Sequence, residues 1–193
     1  MDRRRVVLTG GPGAGKTAVL ELARRHRSRH VDVLHEAASI VFGGGFPRLP
    51  QDYARASAQR AIYHVQDELE RIALAEPSSK LVLCDRGTID GLAYWPWDDD
   101  RFFSELHTSL PVELARYDAV IHLRTPSRTN GYHRDALRIE GVAEAEAIDE
   151  RLLRVWERHP HRFVIESSPD FFDKARRALA ILHELLPEEL AAP

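Results

Sequence analysis

The run Gly10-Gly11-Pro12-Gly13-Ala14-Gly15-Lys16-Thr17 constrains this chain more than any other stretch. It follows Val6-Val7-Leu8-Thr9, a short apolar run that reads as a buried strand. It precedes Thr17 to His26, where Val19, Leu20, Leu22 and Ala23 make an apolar helix face. In that setting the eight residues fit G-x-x-x-x-G-K-[ST] without a mismatch. Glycines let the backbone curl so that successive N–H groups point inward beside a helix N-terminus, which makes an anion-binding concavity. A lysine at Lys16 adds a point charge for β- and γ-phosphates, and the Thr17 hydroxyl suits Mg²⁺. The expected ligand is a nucleoside triphosphate, ATP with Mg²⁺, cradled by Gly10, Gly11, Pro12, Gly13, Ala14, Gly15, Lys16 and Thr17. The competing reading is a glycine-rich turn with an incidental lysine.

Further along, Val31–His35, Leu81–Cys84, Ala119–Leu123 and Phe163–Ile165 are four more short strand-like runs. Between them, apolar residues recur at three- and four-residue steps. Ile62, Val65, Leu69 and Ile72 mark a long helix from Asp52 to Ala75. Ile148, Leu152, Val155 and Trp156 mark another, and Phe172, Ala175, Leu179, Leu182 and Leu186 a last one. All-apolar strands alternating with helices imply a doubly wound α/β fold, a five-stranded parallel sheet with helices on both faces. No repeat or linker divides the 193 residues, so one nucleotide-binding domain over 1–193 is expected.

In an open parallel sheet, ligands bind outside the carboxyl ends of the strands. Asp85 and Arg86, in Cys84-Asp85-Arg86-Gly87, end the third strand and should face the nucleotide. A carboxylate there can hold Mg²⁺ or take a proton from an attacking hydroxyl. Its bland alternative is a cap on a helix starting near Thr88. Glu36 ends the second strand and can bind an acceptor hydroxyl, act as general base, or merely favour a helix N-terminus. Arg124, Arg128, Arg134 and Arg138 surround the breakers Pro126, Asn130 and Gly131. That pattern suits a mobile lid over 125–139 closing on a transferring phosphoryl group, or else a solvated basic loop. Walls of an acceptor pocket are expected from 42–49 and 92–103. Trp95-Pro96-Trp97 reads as core packing, and Asp98-Asp99-Asp100 as a solvated face.

Composition narrows the classes further. Lys plus Arg number 27 against 30 Asp plus Glu, a formal charge of −3, which argues against a nucleic-acid enzyme. The single cysteine, Cys84, excludes an internal disulfide framework and fits a reducing compartment. Val6-Val7-Leu8 is too short for a signal peptide's apolar region, and no run approaches a membrane span of ~18 residues. A cytoplasmic protein, monomeric or homodimeric, is the expectation, with no membrane or nucleic-acid partner.

The phosphate loop, the acid in His35-Glu36-Ala37-Ala38, the Asp85-Arg86-Gly87 element and the arginine-rich segment together resemble the P-loop kinase-like, AAA-type small ATP-binding proteins. Asp85-Arg86-Gly87-Thr88-Ile89-Asp90-Gly91-Leu92 and Arg138-Ile139-Glu140 resemble the nicotinamide riboside kinases, and the acid–Arg pair after strand three is similar to deoxynucleoside kinases. The resemblance implies transfer of the ATP γ-phosphoryl to a small hydroxylated metabolite or nucleoside. It implies that Glu36 meets the acceptor hydroxyl and that Arg134 and Arg138, with Arg128 beside them, meet phosphates. The chain lacks the apolar run ending in Asp-Glu of hexameric AAA machines and the Asn-Lys-x-Asp guanine signature. The alternative function is a regulatory NTPase that hydrolyses ATP or GTP slowly.

Overall fold

The computed structural model describes residues 3–27, 31–76, 80–126, 139–168 and 170–186. Five strands, β1 (Arg4–Thr9), β2 (Val31–Leu34), β3 (Leu81–Asp85), β4 (Ala119–Leu123) and β5 (Arg162–Ile165), form one sheet. Its order is β2-β3-β1-β4-β5, and every pairing is parallel. The helices are α1 (Lys16–Arg27), α2 (Ala37–Gly43), α3 (Asp52–Ala75), α4 (Asp99–Glu105), α5 (Leu110–Leu114), α6 (Ile139–Val155) and α7 (Phe171–Glu184). A 3₁₀ helix covers Thr88–Tyr94. This is the doubly wound α/β architecture that the strand pattern implied.

Side chains alternate across the strands and feed two cores. Val6 and Leu8 of β1, Leu81 and Leu83 of β3, and Ile121 and Leu123 of β4 pack with Val19 and Leu20 of α1 and Ala178 and Leu182 of α7. Val7, Val82, Cys84 and Val120 point the other way, toward Tyr63, Ile89, Phe102 and Trp156. Burial on both faces is why these strands carry no polar–apolar alternation.

Two helices depart from the periodicity at particular positions. In α3 the buried side chains include Tyr63, Gln66, Glu70 and Ala73, whereas Ile72 is 62% exposed. The cause is a polar network on the core side. Fully buried Glu70 accepts hydrogen bonds from Gln66 Nε2 (3.0 Å), Tyr117 Oη (2.7 Å) and Arg116 Nη2 (2.9 Å), and Arg5 Nη1 lies 3.3 Å away. A buried carboxylate tolerates burial only with such partners, and their positions set the rotation of the helix. In α7, Phe172 is 78% exposed, and its neighbour Phe171 packs against the core instead.

β1 lies between β3 and β4, so three chain exits share one sheet edge. They are the glycine loop after Thr9, the Asp85-Arg86 step, and Arg124-Thr125 after β4. This is the switch point where open α/β sheets bind ligands.

Candidate active site

The loop after β1 is shaped by backbone conformations and close approaches that exclude side chains. Gly10 has φ +138°, and a Cβ there would lie 2.1 Å from the Leu123 carbonyl oxygen. Gly15, at φ +93°, faces the Phe171 ring, which a Cβ would meet at 2.7 Å. Lys16 folds back over the loop, its Nζ donating to Gly10 O (2.8 Å) and Gly11 O (3.1 Å). Burial, then Arg86, lower its pKa to about 8, against the pull of Asp85, Asp90 and Glu36. Thr17 lies exposed in the first turn of α1.

Asp85 ends β3 as expected, but it caps nothing. The 3₁₀ helix that follows is capped by Gly87 without a side-chain bond. Asp85 Oδ1 is buried with no hydrogen-bond partner among the described residues. Burial, then the neighbouring Glu36 carboxylate, raise its pKa from 3.8 to about 6, and Lys16 and Arg86 only partly offset this. Arg86 stands in the left-handed region at φ 75°, its amide donating to Leu8 O (3.1 Å). Its side chain reaches Glu36 Oε1 through Nε (2.6 Å) and Asp90 Oδ2 through Nη1 (3.3 Å). Asp90 is itself fixed, accepting from Thr9 Oγ1 (2.6 Å) and Trp156 Nε1 (2.7 Å).

Glu36 precedes α2 but makes no side-chain cap bond to its backbone. Ser39 Oγ donates to Oε2 (2.7 Å), and Arg86 holds Oε1. Burial pushes the Glu36 pKa up, but Arg86, Ser39 and Lys16 outweigh it and leave the group below the usual carboxylate range. The structure thus brings Lys16, Glu36, Asp85, Arg86 and Asp90 into one charged cluster beside the loop.

A cavity of about 670 Å³ opens from this cluster, with Pro12, Glu36 and Arg86 among its walls. Phe42, Pro47 and Ile62 give it an apolar lining, so the expected 42–49 wall is present. From 92–103 it takes only Tyr94, because Leu92, Trp95 and Phe102 are core residues. Asp98 caps α4, accepting the Arg101 amide (2.9 Å), and no cluster of metal-ligating side chains occurs among the described residues. Nor is any described helix long and apolar enough to cross a membrane.

Arg128, Arg134, Arg138 and most of the 125–139 lid lie outside the described residues. Arg124, grouped with them by sequence, is tied down by Asp149 (3.0 Å) and Glu150. Sequence reasoning missed Asp90, Asp149 and Lys174. Asp149 lies three and seven residues before Leu152 and Trp156, on the same buried helix face, which is a signal that an apolar search passes over. Lys174 is one of only three lysines in a chain that otherwise uses arginine.

Among solved structures, deoxyadenosine kinase from M. mycoides with bound dATP aligns at TM-score 0.63 and 14% identity, covering 93% of this chain and 99% of that one. NadR protein in complex with NAD and AMP-PNP aligns at TM-score 0.62 and 15% identity, covering 94% of this chain and 49% of that one. At such identities the likeness speaks for the fold, which is that of the P-loop kinases. No curated protein matches the chain. Residues 5–174 match the family described as AAA domain. With its glycine loop, its Asp85-Arg86 step and this match over most of its length, the chain belongs to that AAA domain family and has a P-loop kinase-like fold.

Proposed function

We propose that this protein is an ATP-dependent phosphotransferase that moves the γ-phosphoryl group to a hydroxyl of a small metabolite or nucleoside. The observation that carries the reading is the cavity beside the phosphate loop, with the Glu36–Arg86 pair on its wall. An enzyme that only hydrolyses ATP needs to orient one water and has no use for a cavity of about 670 Å³. The kinase fold and the dATP and AMP-PNP held by the structural neighbours support a nucleotide ligand.

In this reading Lys16 leaves the Gly10 and Gly11 carbonyls and meets the β- and γ-phosphates. Glu36, kept ionised by Arg86, accepts the hydrogen of the acceptor hydroxyl. As the acceptor oxygen bonds to Pγ, the bond from Pγ to the β,γ-bridging oxygen breaks and ADP departs. Little base strength is needed, since the transition state is loose. Arg86 orients Glu36, and Arg128, Arg134 and Arg138 are assigned to phosphate contacts. Mg²⁺ fits the residues present, because Asp85 offers a buried carboxylate oxygen with no partner among the described residues and Thr17 a hydroxyl, both hard oxygen donors. When bound, it would neutralise charge on the phosphates.

The test is a panel of nucleosides, sugars and vitamins incubated with Mg·ATP, following ADP and phosphorylated product together. The reading requires at least one acceptor that raises ADP formation above the basal rate and gains phosphate stoichiometrically. Basal hydrolysis that no acceptor raises would replace it with a slow regulatory NTPase.

A further inference from the structure

A carboxylate stands against the phosphate loop, where it opposes an incoming polyanion. Asp149, from the buried face of α6, is 1% exposed. Its Oδ1 accepts the Gly11 amide (2.9 Å) and lies 2.8 Å from His122 Nε2. Its Oδ2 accepts the Thr125 amide (3.2 Å) and lies 3.0 Å from Arg124 Nε. Thr125 Oγ1 completes the link by donating to Pro12 O (3.3 Å). The contact leaves no slack, since a Cβ on Gly11 would meet Thr125 Oγ1 at 2.4 Å and Asp149 Cβ at 2.9 Å. The other half of the loop has its own anchor. Buried Lys174 donates to Ala14 O (2.9 Å) and to Arg124 O, so both anchors meet where the chain leaves β4.

We propose that Asp149 is a positioning residue that pre-forms the phosphate loop by clamping Gly11 to the end of β4. The proposal rests on the nucleotide-binding part of the function proposed above. Four of the loop's eight residues are glycines, which lose more conformational freedom on ordering than any other residue. Ordering that the fold does not provide in advance must be supplied by the ligand and is subtracted from its affinity. Asp149 provides it in advance, and Arg124 offsets its charge, so the phosphates meet a shaped loop. Its contact is with Gly11, Thr125, His122 and Arg124, so it acts on the ligand through the loop.

Asp149→Asn and Asp149→Ala in the full chain, with Mg·ATP titrated calorimetrically, test this. The expected loss of ATP affinity is roughly tenfold to a hundredfold, the range seen for groups that orient a metal ion's ligands. Amide hydrogen exchange at Gly11 and Gly13 should speed up in the unliganded variants and return to the parent rate at saturating ATP. A role in general stability would not give that local, ligand-reversible change. Thr125→Val, which removes one hydroxyl, should give a smaller loss in the same direction and serves if the Asp149 variants fail to fold. Folded variants that bind ATP as the parent does, with unchanged glycine exchange, overturn the inference alone. A parent chain that binds no triphosphate overturns the nucleotide reading and the inference with it.

Discussion

Replacing Asp85 with Asn should make the unliganded protein more stable and the enzyme worse. Asp85 is held ionised at neutral pH although its Oδ1 is buried without a partner among the described residues, beside Glu36. A folded pKa of about 6 against 3.8 means that keeping the charge costs about 3 kcal/mol of folding free energy above pH 7. Because the folded pKa is the higher one, this stability is present below pH 3.8 and is lost as the pH rises through about 6. Asn carries no such cost at any pH, less what its carboxamide loses by desolvation, and that loss does not depend on pH. The advantage of the variant should therefore grow by roughly 1.4 kcal/mol between pH 5 and pH 7.5. Urea unfolding of both proteins at the two pH values, with chelator present, measures this double difference and cancels the groups that do not interact with Asp85. Turnover should move the opposite way and fall on the order of 10²-fold. A stability difference that is flat with pH, or that favours the parent more strongly at pH 7.5, refutes the reasoning.

Lys16→Ala should weaken ATP binding roughly tenfold to a hundredfold, the worth of one charged hydrogen-bonding group, and leave adenosine binding unchanged by calorimetry. Glu36→Gln should cut acceptor-dependent turnover on the order of 10²-fold while basal ATP hydrolysis persists, read by parallel assays with and without acceptor. Gly87→Ala places a Cβ 2.6 Å from the Trp156 ring and 3.0 Å from Val7 Cγ2. Overpacking of this kind costs about 1–3 kcal/mol, so its unfolding midpoint should drop. Trp156 fluorescence should change with it, because that indole also holds Asp90.

Much of the site was legible along the chain because its parts are local. A strand, a glycine loop and a helix N-terminus are contiguous, and their chemistry follows from backbone freedom and residue order. The same holds for the sheet, whose apolar runs imply burial on both faces wherever the strands end up. Asp85 and Glu36 could be singled out because Asp85 ends β3 and Glu36 follows β2 by two residues, at the N-cap of α2 rather than on the strand as expected, and strand ends in a parallel sheet share an edge.

Contacts that join distant segments carry no such signature. Arg86 chooses Glu36, 50 residues earlier, only because β2 and β3 are neighbours and Arg86 turns through a left-handed conformation. The rotation of α3 follows Glu70, whose partners Arg116 and Tyr117 precede β4 and whose partner Arg5 lies on β1, so the apolar stripe is left half-buried and Ile72 at its end exposed. Asp149 meets Gly11 across 138 residues. Sequence by itself determined the five strands, the four long helices and the glycine loop, since these depend on near neighbours and on period. Tertiary structure alone decided which charges neutralise which, since a buried ion must find its partner in space, and the order β2-β3-β1-β4-β5 determines what is near.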